Sequence, residues 1–262
     1  MKLRTCTNSK RGFTLIELLV VIGIIALLAT IGVGALRGFN AVNVVQAGNR
    51  QLLDDINRAR NSAQNERTTI YMVFVPPLTS FPLGGLGTNI LARKALTNRL
   101  NGQYDSYNFV ALRTPGDQPG RGRARYLSEW KYLPQGVYIT TNEFEPRIPP
   151  KWLADARLSQ STNMPFTYIA VPFPTANSPT IEMPCIAFNY RGGLLGPDPE
   201  KPRQVDEIIT LARGSLVQAV SSTGRPTIAA PEVIETPKGN STNNPYIRID
   251  WITGRARLEE PK

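Results

Sequence analysis

The stretch that decides the fold is Lys10-Arg11-Gly12-Phe13-Thr14-Leu15-Ile16-Glu17, followed by an apolar run without a charge over residues 18–36. A membrane-spanning helix needs about 20 mainly apolar residues, so this run predicts a transmembrane segment at about residues 15–36. Basic residues stand ahead of it, at positions 2, 4, 10 and 11. By the positive-inside rule, residues 1–12 stay in the cytoplasm and the bulk of the chain crosses the membrane.

Glu17 is out of place in this run, because a carboxylate deep in lipid costs about 2–3 kcal/mol or more. An ionisable group within a membrane segment indicates a function and a charged partner. Cleavage of the chain between Gly12 and Phe13 would create such a partner, an α-amino group four residues before Glu17. Glu17 is therefore the first candidate site residue.

Residues 10–17 resemble the class III signal of type IV prepilins and type II secretion pseudopilins. The resemblance implies that a prepilin peptidase cuts after Gly12 and that Phe13 is methylated at its new amino group. It also implies that Glu17 neutralises the N-terminal amine of a neighbouring subunit during assembly. An ordinary secretory signal peptide would have a shorter apolar core without a glutamate, and a plain membrane anchor has no need of Glu17.

The apolar run continues into an amphipathic segment, and no proline occurs between residues 1 and 75. Five apolar residues there recur at helical spacing and share one helix face: Val45, Leu52, Ile56, Ala59 and Ala63. The charged residues 54, 55, 58 and 60 fall largely off that face. We therefore predict one helix over residues 13–66. Glycines at 32, 34 and 38 favour either local unwinding or close helix–helix packing.

After residue 67 the sequence changes to short β-branched and aromatic runs separated by turn residues. The predicted strands are 68–75, 107–113, 137–141, 185–190, 207–211 and 246–252, the last with a short return strand after a glycine turn. A short helix is predicted at 89–100, and Pro-rich loops at 145–150 and 172–184.

These elements predict an α+β fold class. A long N-terminal α-helix, with a membrane half and an amphipathic half, packs on one face of a mainly antiparallel β-sheet domain. The predicted parts are a cleaved cytoplasmic leader (1–12), the helix (13–66) and a periplasmic β-rich domain (67–262).

Three stretches of the β-rich part resemble H-type minor pseudopilins and the related FimT-like minor pilins. They are Leu133-Pro134-Gln135-Gly136-Val137, Ile186-Ala187-Phe188-Asn189-Tyr190-Arg191-Gly192-Gly193, and residues 247–258 (IRIDWITGRARL). The resemblance implies a pilin-like domain. Residues 79–132 look like an insertion relative to that family.

Two arginine clusters are candidate nucleic-acid contacts: Arg255 with Arg257, and Arg121 with Arg123 and Arg125. Residues 254–257 resemble the Gly-Arg-x-Arg element that is associated with DNA binding in FimT-like minor pilins. Alternate residues of a strand point to one face, so the first pair can straddle adjacent phosphates. The competing interpretation is two solvated hairpin tips, and acidic residues at 259 and 260 dilute the first cluster.

The composition excludes several kinds of site. The chain has no histidine, which excludes Ser-His-Asp and Cys-His catalysis and histidine-ligated zinc. The acidic residues at 198, 200, 206 and 207 lack the spacing of a calcium loop and predict a solvated acidic loop. We therefore expect no enzyme activity, no metal and no cofactor.

The cysteines and tryptophans have structural interpretations. Loss of the leader removes Cys6, so the mature chain keeps only Cys185 and cannot form an internal disulfide. Cys185 lies in an apolar run and is predicted to be a small buried hydrophobe. The tryptophans at 130, 152 and 251 are predicted to pack in the core rather than to stack on a ligand.

The sequence predicts a structural, minor subunit of a type II secretion pseudopilus or a type IV pilus, with a single pass through the bacterial inner membrane. Expected partners are prepilin peptidase, other pilin or pseudopilin subunits, an inner-membrane assembly platform and the lipid bilayer. The alternative is a DNA-binding minor pilin of natural transformation. The net charge of +10, which becomes 26 − 20 = +6 without residues 1–12, permits nucleic acid as a partner without favouring it.

Overall fold

The computed structural model describes residues 14–77, 102–118, 122–144, 166–196, 198, 201–220, 229–242 and 244–261, with the backbone alone for 29–43 and 242. The predicted helix at 89–100 and the predicted loop at 145–150 lie outside these residues. The chain divides into two compact units, residues 1–43 and 44–262. Helix α1 (Leu15–Glu66) contributes to both, because the boundary falls within it.

The first unit contains the beginning of α1, whose side chains are exposed over residues 15–28. The backbone is helical at the glycines 32, 34 and 38.

Among the described residues, no helix combines the length and the apolar character that crossing a membrane requires.

In the second unit, α1 buries the apolar face that the sequence predicts. The five residues of that face are at most 8% exposed, and four of them are completely buried: Leu52, Ile56, Ala59 and Ala63. Packing of an amphipathic face, more than helix propensity, is what stabilises such a helix. The prediction of a buried stripe is confirmed.

Helix α1 ends in a Schellman motif. Arg67 adopts a left-handed conformation with φ of 50°, and the Thr68 N–H donates to the carbonyl of Ala63 at 3.2 Å. The chain then turns directly into the first strand, which begins at residue 70. Three residues, 67–69, therefore connect the helix to the sheet that it covers.

Among the described residues, twelve strands form two antiparallel sheets. The first sheet contains β1 (Ile70–Phe74), β2 (Ser106–Ala111), β3 (Arg125–Tyr126), β4 (Lys131–Tyr132), β6 (Thr167–Pro172), β7 (Thr180–Phe188) and β8 (Leu194–Leu195). The second contains β5 (Val137–Ile139), β9 (Glu207–Val217), β10 (Glu232–Glu235), β11 (Tyr246–Ile249) and β12 (Ala256–Glu259). The predicted α+β class with an antiparallel β-domain is confirmed.

In both sheets, some neighbouring strands are far apart in the sequence. In the first sheet the order is β3-β2-β1-β7-β6, with β4 paired to β2 and β8 to β7. In the second it is β10-β9-β11-β12, with β5 also paired to β9. One hydrophobic core joins the buried face of α1 to residues of both sheets.

The opposite face of the first sheet carries a second apolar cluster. Cys185 is completely buried there, among Val73, Val110 and Met183, as predicted for a small hydrophobe. β2 pairs with β1 in full register from Ile70↔Ala111 to Phe74↔Tyr107. The described part of the segment interpreted as an insertion, from residue 102 onward, is therefore integral to this sheet.

Several local predictions were wrong. Residues 172–184 were predicted to be a Pro-rich loop, but β6 extends to residue 172 and β7 begins at residue 180. β9 is eleven residues long, more than twice the predicted length. The strands β6 and β10 were not predicted, and the β-domain contains two sheets instead of one. Proline does not exclude these strands because β7 accommodates Pro184 opposite Tyr168.

Asp55 is an exception to the prediction that the charged residues of α1 lie off its buried face. It is 7% exposed and accepts hydrogen bonds from the Tyr107 hydroxyl at 2.7 Å and from Lys131 Nζ at 2.5 Å. The Gln51 amide donates to the same hydroxyl and to the carbonyl of Tyr132. Burial, and the hydrogen bond to Asp55, raise the pKa of Tyr107. This polar cluster fixes α1 to β2 and β4.

Candidate functional site

The start of α1 carries the first candidate site. Gly12 and Phe13, the predicted cleavage and methylation residues, lie outside the described residues. Glu17 is described and exposed. The candidate assembly carboxylate is therefore on the surface of the first turn of the helix.

Thr14 and Glu17 form a capping box. The Glu17 carboxylate accepts hydrogen bonds from the Thr14 N–H at 2.9 Å and from the Thr14 hydroxyl at 2.8 Å. The Glu17 N–H lies 3.3 Å from the same hydroxyl, to which it donates. These bonds satisfy donors that a helix N-terminus otherwise leaves unpaired, and the helix dipole favours a negative charge there.

Sequence reasoning missed this local role of Glu17, although its signal is present. Thr14-Leu15-Ile16-Glu17 has the Thr-x-x-Glu spacing of a capping box immediately before an apolar run. The carboxylate thus has a partner within its own chain, and its two oxygens can accept further hydrogen bonds.

The second candidate site is the turn between β11 and β12, called here the arginine turn (residues 250–257). It is closed by hydrogen bonds from the Gly254 N–H to the Asp250 carbonyl at 2.7 Å and from the Asp250 N–H to the Arg255 carbonyl at 3.0 Å. The Asp250 carboxylate accepts from the Thr253 N–H and hydroxyl, and these bonds lower its pKa against the effect of burial. The turn is rigidly hydrogen-bonded.

The two arginines of this turn have different surroundings. Arg257 is exposed, and its Nε lies 2.6 Å from the Glu259 carboxylate, which Arg248 also approaches at 3.5 Å. Arg255 is exposed, precedes β12, and has no side-chain hydrogen bond or ion pair within the described part of the chain. The predicted pair therefore consists of one neutralised cation and one available cation.

The arginine turn packs on two other segments. The Arg60 Nε donates to the Thr253 carbonyl at 2.6 Å, and the Gln64 amide donates to the Arg191 carbonyl at 2.9 Å. The Leu194 N–H donates to the carbonyl of Trp251 at 2.9 Å. The last turns of α1 and the β7–β8 turn thus meet the arginine turn.

Gly254 makes this junction possible. Its φ is +62°, and a Cβ at this position would lie 1.9 Å from the carbonyl oxygen of Gly192. No side chain fits this approach. The two turns that were singled out for their family resemblance are therefore in direct contact, which their separation in sequence did not reveal.

The junction adds two basic residues that sequence reasoning missed. Arg191 is exposed, with its guanidinium 5.3 Å from the ring centre of Tyr190, which is 55% exposed. Arg60 comes from α1. No local motif marks either residue, because contacts between segments that are distant in sequence bring Arg60 and the turn of Arg191 to the arginine turn.

The other predicted arginine cluster is only partly described. Arg121 lies outside the described residues, and Arg123 is exposed. Arg125 forms an ion pair with Glu66 at the end of α1. One cation of this cluster is thus neutralised.

The predicted acidic loop divides into two parts. Asp198 is exposed and pairs with Lys201 at 3.1 Å. Asp206 and Glu207 are buried, which contradicts the prediction that they are solvated. Asp206 accepts from two nitrogens of Arg248 at 2.7 Å and from the Trp251 N–H at 3.0 Å. Its role is to hold β11 and the arginine turn to the start of β9.

In the described ranges, no group of three or more acidic or cysteine side chains is arranged to hold a metal ion. Trp130 packs edge-to-face on Phe173 at 5.2 Å, and its indole N–H donates to the Pro174 carbonyl. Trp251 packs against the main core. The prediction of structural tryptophans is confirmed for these two residues, and Trp152 lies outside the described residues.

Comparison with known protein families gives a match at the N-terminus. Residues 7–33 match the prokaryotic N-terminal methylation motif, which supports a prepilin-type N-terminus. This motif implies processing by prepilin peptidase and assembly with other pilins. No curated protein and no solved structure matches the chain.

Proposed function

We propose that this chain is a structural, non-enzymatic subunit of a type IV pilus or a type II secretion pseudopilus, and a minor one. The observation that carries the proposal is the match of residues 7–33 to the N-terminal methylation motif. The exposed apolar side chains of residues 15–28 support it, because a helix with such a surface needs lipid or neighbouring subunits around it.

The proposed mechanism has three steps. The basic leader keeps residues 1–12 in the cytoplasm while the β-rich domain reaches the periplasm. Prepilin peptidase then cuts after Gly12 and methylates Phe13. An inner-membrane assembly platform finally moves the subunit from the bilayer into a filament, where Glu17 pairs with the amine of a neighbouring subunit.

The capping box gives the test of Glu17 a matched control. Glu17→Gln keeps an oxygen that can accept from Thr14 and removes the charge, whereas Glu17→Val removes both. If Glu17 acts by pairing with an amine, both variants are cleaved normally and both fail to enter filaments. Filament incorporation of Glu17→Gln at the wild-type level would restrict the role of Glu17 to capping. The measurement is the subunit's distribution between membrane and sheared-filament fractions.

Substitution of Gly12 tests whether residues 10–17 are a prepilin cleavage signal. Replacing Gly12 with Trp should leave the precursor uncut, because the resemblance places the cleaved bond directly after this residue. Mass spectrometry of the N-terminus reports both cleavage and methylation. A normally cut Gly12→Trp chain would remove the basis of the proposal.

A second candidate function is binding of nucleic acid at the arginine turn. The observation that favours it is the junction, in which Arg60 donates to the Thr253 carbonyl and the turn that carries Arg191 contacts the turn that carries the exposed Arg255. Each arginine that contacts a phosphate contributes about one unit to the slope of log K against log salt. Because Glu259 neutralises Arg257, Arg255 is expected to contribute more.

Single substitutions test whether Arg255 contributes more to DNA binding than Arg257. Arg255→Ala should weaken DNA binding and lower the salt slope by about one, and Arg257→Ala should have a smaller effect. Arg58→Ala, at an exposed position on α1, is the control for loss of one positive charge. Equal effects of Arg255→Ala and Arg58→Ala, measured by fluorescence anisotropy at several salt concentrations, would refute a specific site.

A further inference from the structure

Two buried carboxylates lie where the two sheets meet, and one of them is paired with a buried guanidinium. Glu207 at the start of β9 is 1% exposed, and Glu143 after β5 is 7% exposed. Arg203 is 8% exposed, and its Nη1 lies 2.6 Å from the Glu207 carboxylate. The functions proposed above use none of these residues.

Arg203 connects the sheets. The nitrogen that approaches Glu207 in the second sheet also donates to the Thr167 hydroxyl in β6 of the first sheet, at 3.1 Å. The Arg203 N–H donates to the carbonyl of Leu194 in β8. The ion pair of Arg203 and Glu207 is therefore a fixed part of the contact between the sheets.

Glu143 extends the pairing of β5 with β9. The Thr140 N–H donates to the Thr210 carbonyl at 3.0 Å, and the chain then forms a 3₁₀ turn, Thr141–Glu143. The Glu143 carboxylate accepts from the Thr210 N–H at 3.0 Å and from the Thr140 hydroxyl at 3.5 Å. Its side chain thus occupies the position that a backbone carbonyl would take if β5 continued.

The charges in this cluster do not balance without a bound proton. Within the described residues, both hydrogen bonds to Glu143 come from uncharged donors, and the charge that acts on it is the like charge of Glu207. A buried carboxylate without a cation retains its proton, because desolvation disfavours the charged form. Burial first, and then Glu207, raise the pKa of Glu143 to about 8.

Three other titratable groups lie in or next to this cluster, and the surroundings of each shift its pKa. Burial raises the pKa of Glu207 to about 7, although Arg203 acts in the opposite direction. From β7, the thiol of Cys185 has its pKa raised by burial and by Glu207. From β6, the Tyr168 hydroxyl donates to the carbonyl of Phe144 at 3.3 Å, and burial raises its pKa. Among the described residues, Glu143 is the group of this cluster whose charge no cation offsets.

We propose that Glu143 is a proton-operated latch, which holds the Thr141–Glu143 turn on β9 when protonated and releases it when it ionises. The direction of the pH dependence follows from the linkage between proton binding and the stability of the closed state. A carboxyl whose pKa is raised in the folded protein stabilises the closed state fully below its unfolded value of about 4.3. This stabilisation is lost as the pH rises towards 8, and above that pH the opening equilibrium no longer changes.

Hydrogen exchange of the Thr210 amide measures the latch directly, because this N–H donates to Glu143. The full chain in detergent is followed between pH 5.5 and 9, with rates corrected for intrinsic exchange. We expect protection to fall about tenfold per pH unit up to pH 7.5 and to level off above pH 8. Glu143→Gln, which keeps an acceptor but does not titrate, should vary by less than about threefold over the same range.

Glu182→Gln is the control for exchanging a carboxyl for an amide, since Glu182 is exposed on β7, and it should follow the wild-type curve. A wild-type curve that coincides with that of Glu143→Gln would overturn the proposal. If Glu143→Gln does not fold, titration of ¹³C-labelled glutamate carboxyls in the wild-type chain decides the question. One carboxyl that titrates near pH 8, above that of Glu207, supports the latch, and the absence of any carboxyl that titrates above that of Glu207 refutes it.

Discussion

The two stretches of α1 whose side chains are described differ in their hydrogen-bond partners and in the burial of their apolar residues. In residues 15–28 the polar groups are paired within one helical turn, by Thr14 and Glu17, and the apolar side chains are left exposed. In residues 44–66 the apolar face is buried, and the polar side chains bind residues 50 to 200 positions away in sequence. The apolar side chains of the first stretch are therefore left exposed by the chain itself, whereas the second stretch is fixed by its own chain.

The largest expected effect comes from removing apolar atoms in the buried stretch. Ile56→Ala should lower the free energy of unfolding by about 2–5 kcal/mol, because Ile56 is completely buried and the substitution leaves a cavity. Ile24→Ala, at a position that is 53% exposed, should change it by less than about 0.5 kcal/mol. Denaturant unfolding of the full chain in detergent compares the two. Equal losses would abolish the distinction between the stretches.

A smaller effect is expected at the junction that holds the end of α1. Gly254→Ala should cost about 2–4 kcal/mol, since the new Cβ meets the Gly192 carbonyl and the left-handed backbone is strained. Gly116 also has a positive φ, of 99°, but nothing lies within 4 Å of its added Cβ. Gly116→Ala should therefore cost only about 1 kcal/mol. Thermal unfolding separates the two, and similar losses would show that close approach at Gly254 is unimportant.

The smallest effect tests the local pairing in the first stretch. Thr14→Ala should destabilise the start of α1 by about 1 kcal/mol, because both the hydroxyl that caps the helix and one hydrogen bond to Glu17 are lost. Thr14→Ser keeps the hydroxyl and should behave like the wild type. Amide exchange over residues 15–18 is the measurement. Protection in Thr14→Ala equal to that in the wild type would mean that the capping box does not hold the helix start.

Sequence patterns predicted the features that depend on local periodicity. The buried stripe of α1, the strands near residues 70, 107 and 246, and the burial of Cys185 all follow from the spacing of apolar residues. The division into two sheets could not be predicted, because it depends on which strands pair across long separations. Asp206 and Glu207 show the same limit, since a charged dipeptide in a Pro-rich region predicts solvation unless its arginine partners are known.

The candidate sites divide in the same way. Gly12, Phe13 and Glu17 were found from a contiguous motif, and the match to residues 7–33 supports that interpretation. The capping box was also readable, as Thr-x-x-Glu. Arg60 and Arg191 were not, because their place beside the arginine turn depends on contacts between segments that are distant in sequence.

Buried Cys185 also gives the protein an intrinsic probe of unfolding. Its thiol is enclosed by apolar side chains, and burial raises its pKa, so it is protonated and shielded in the folded unit. Thiolates are the species that react with alkylating reagents, and reaction at this residue therefore requires the first sheet to open. Once the leader and Cys6 are gone, alkylation kinetics report the opening of a single strand without any engineered label.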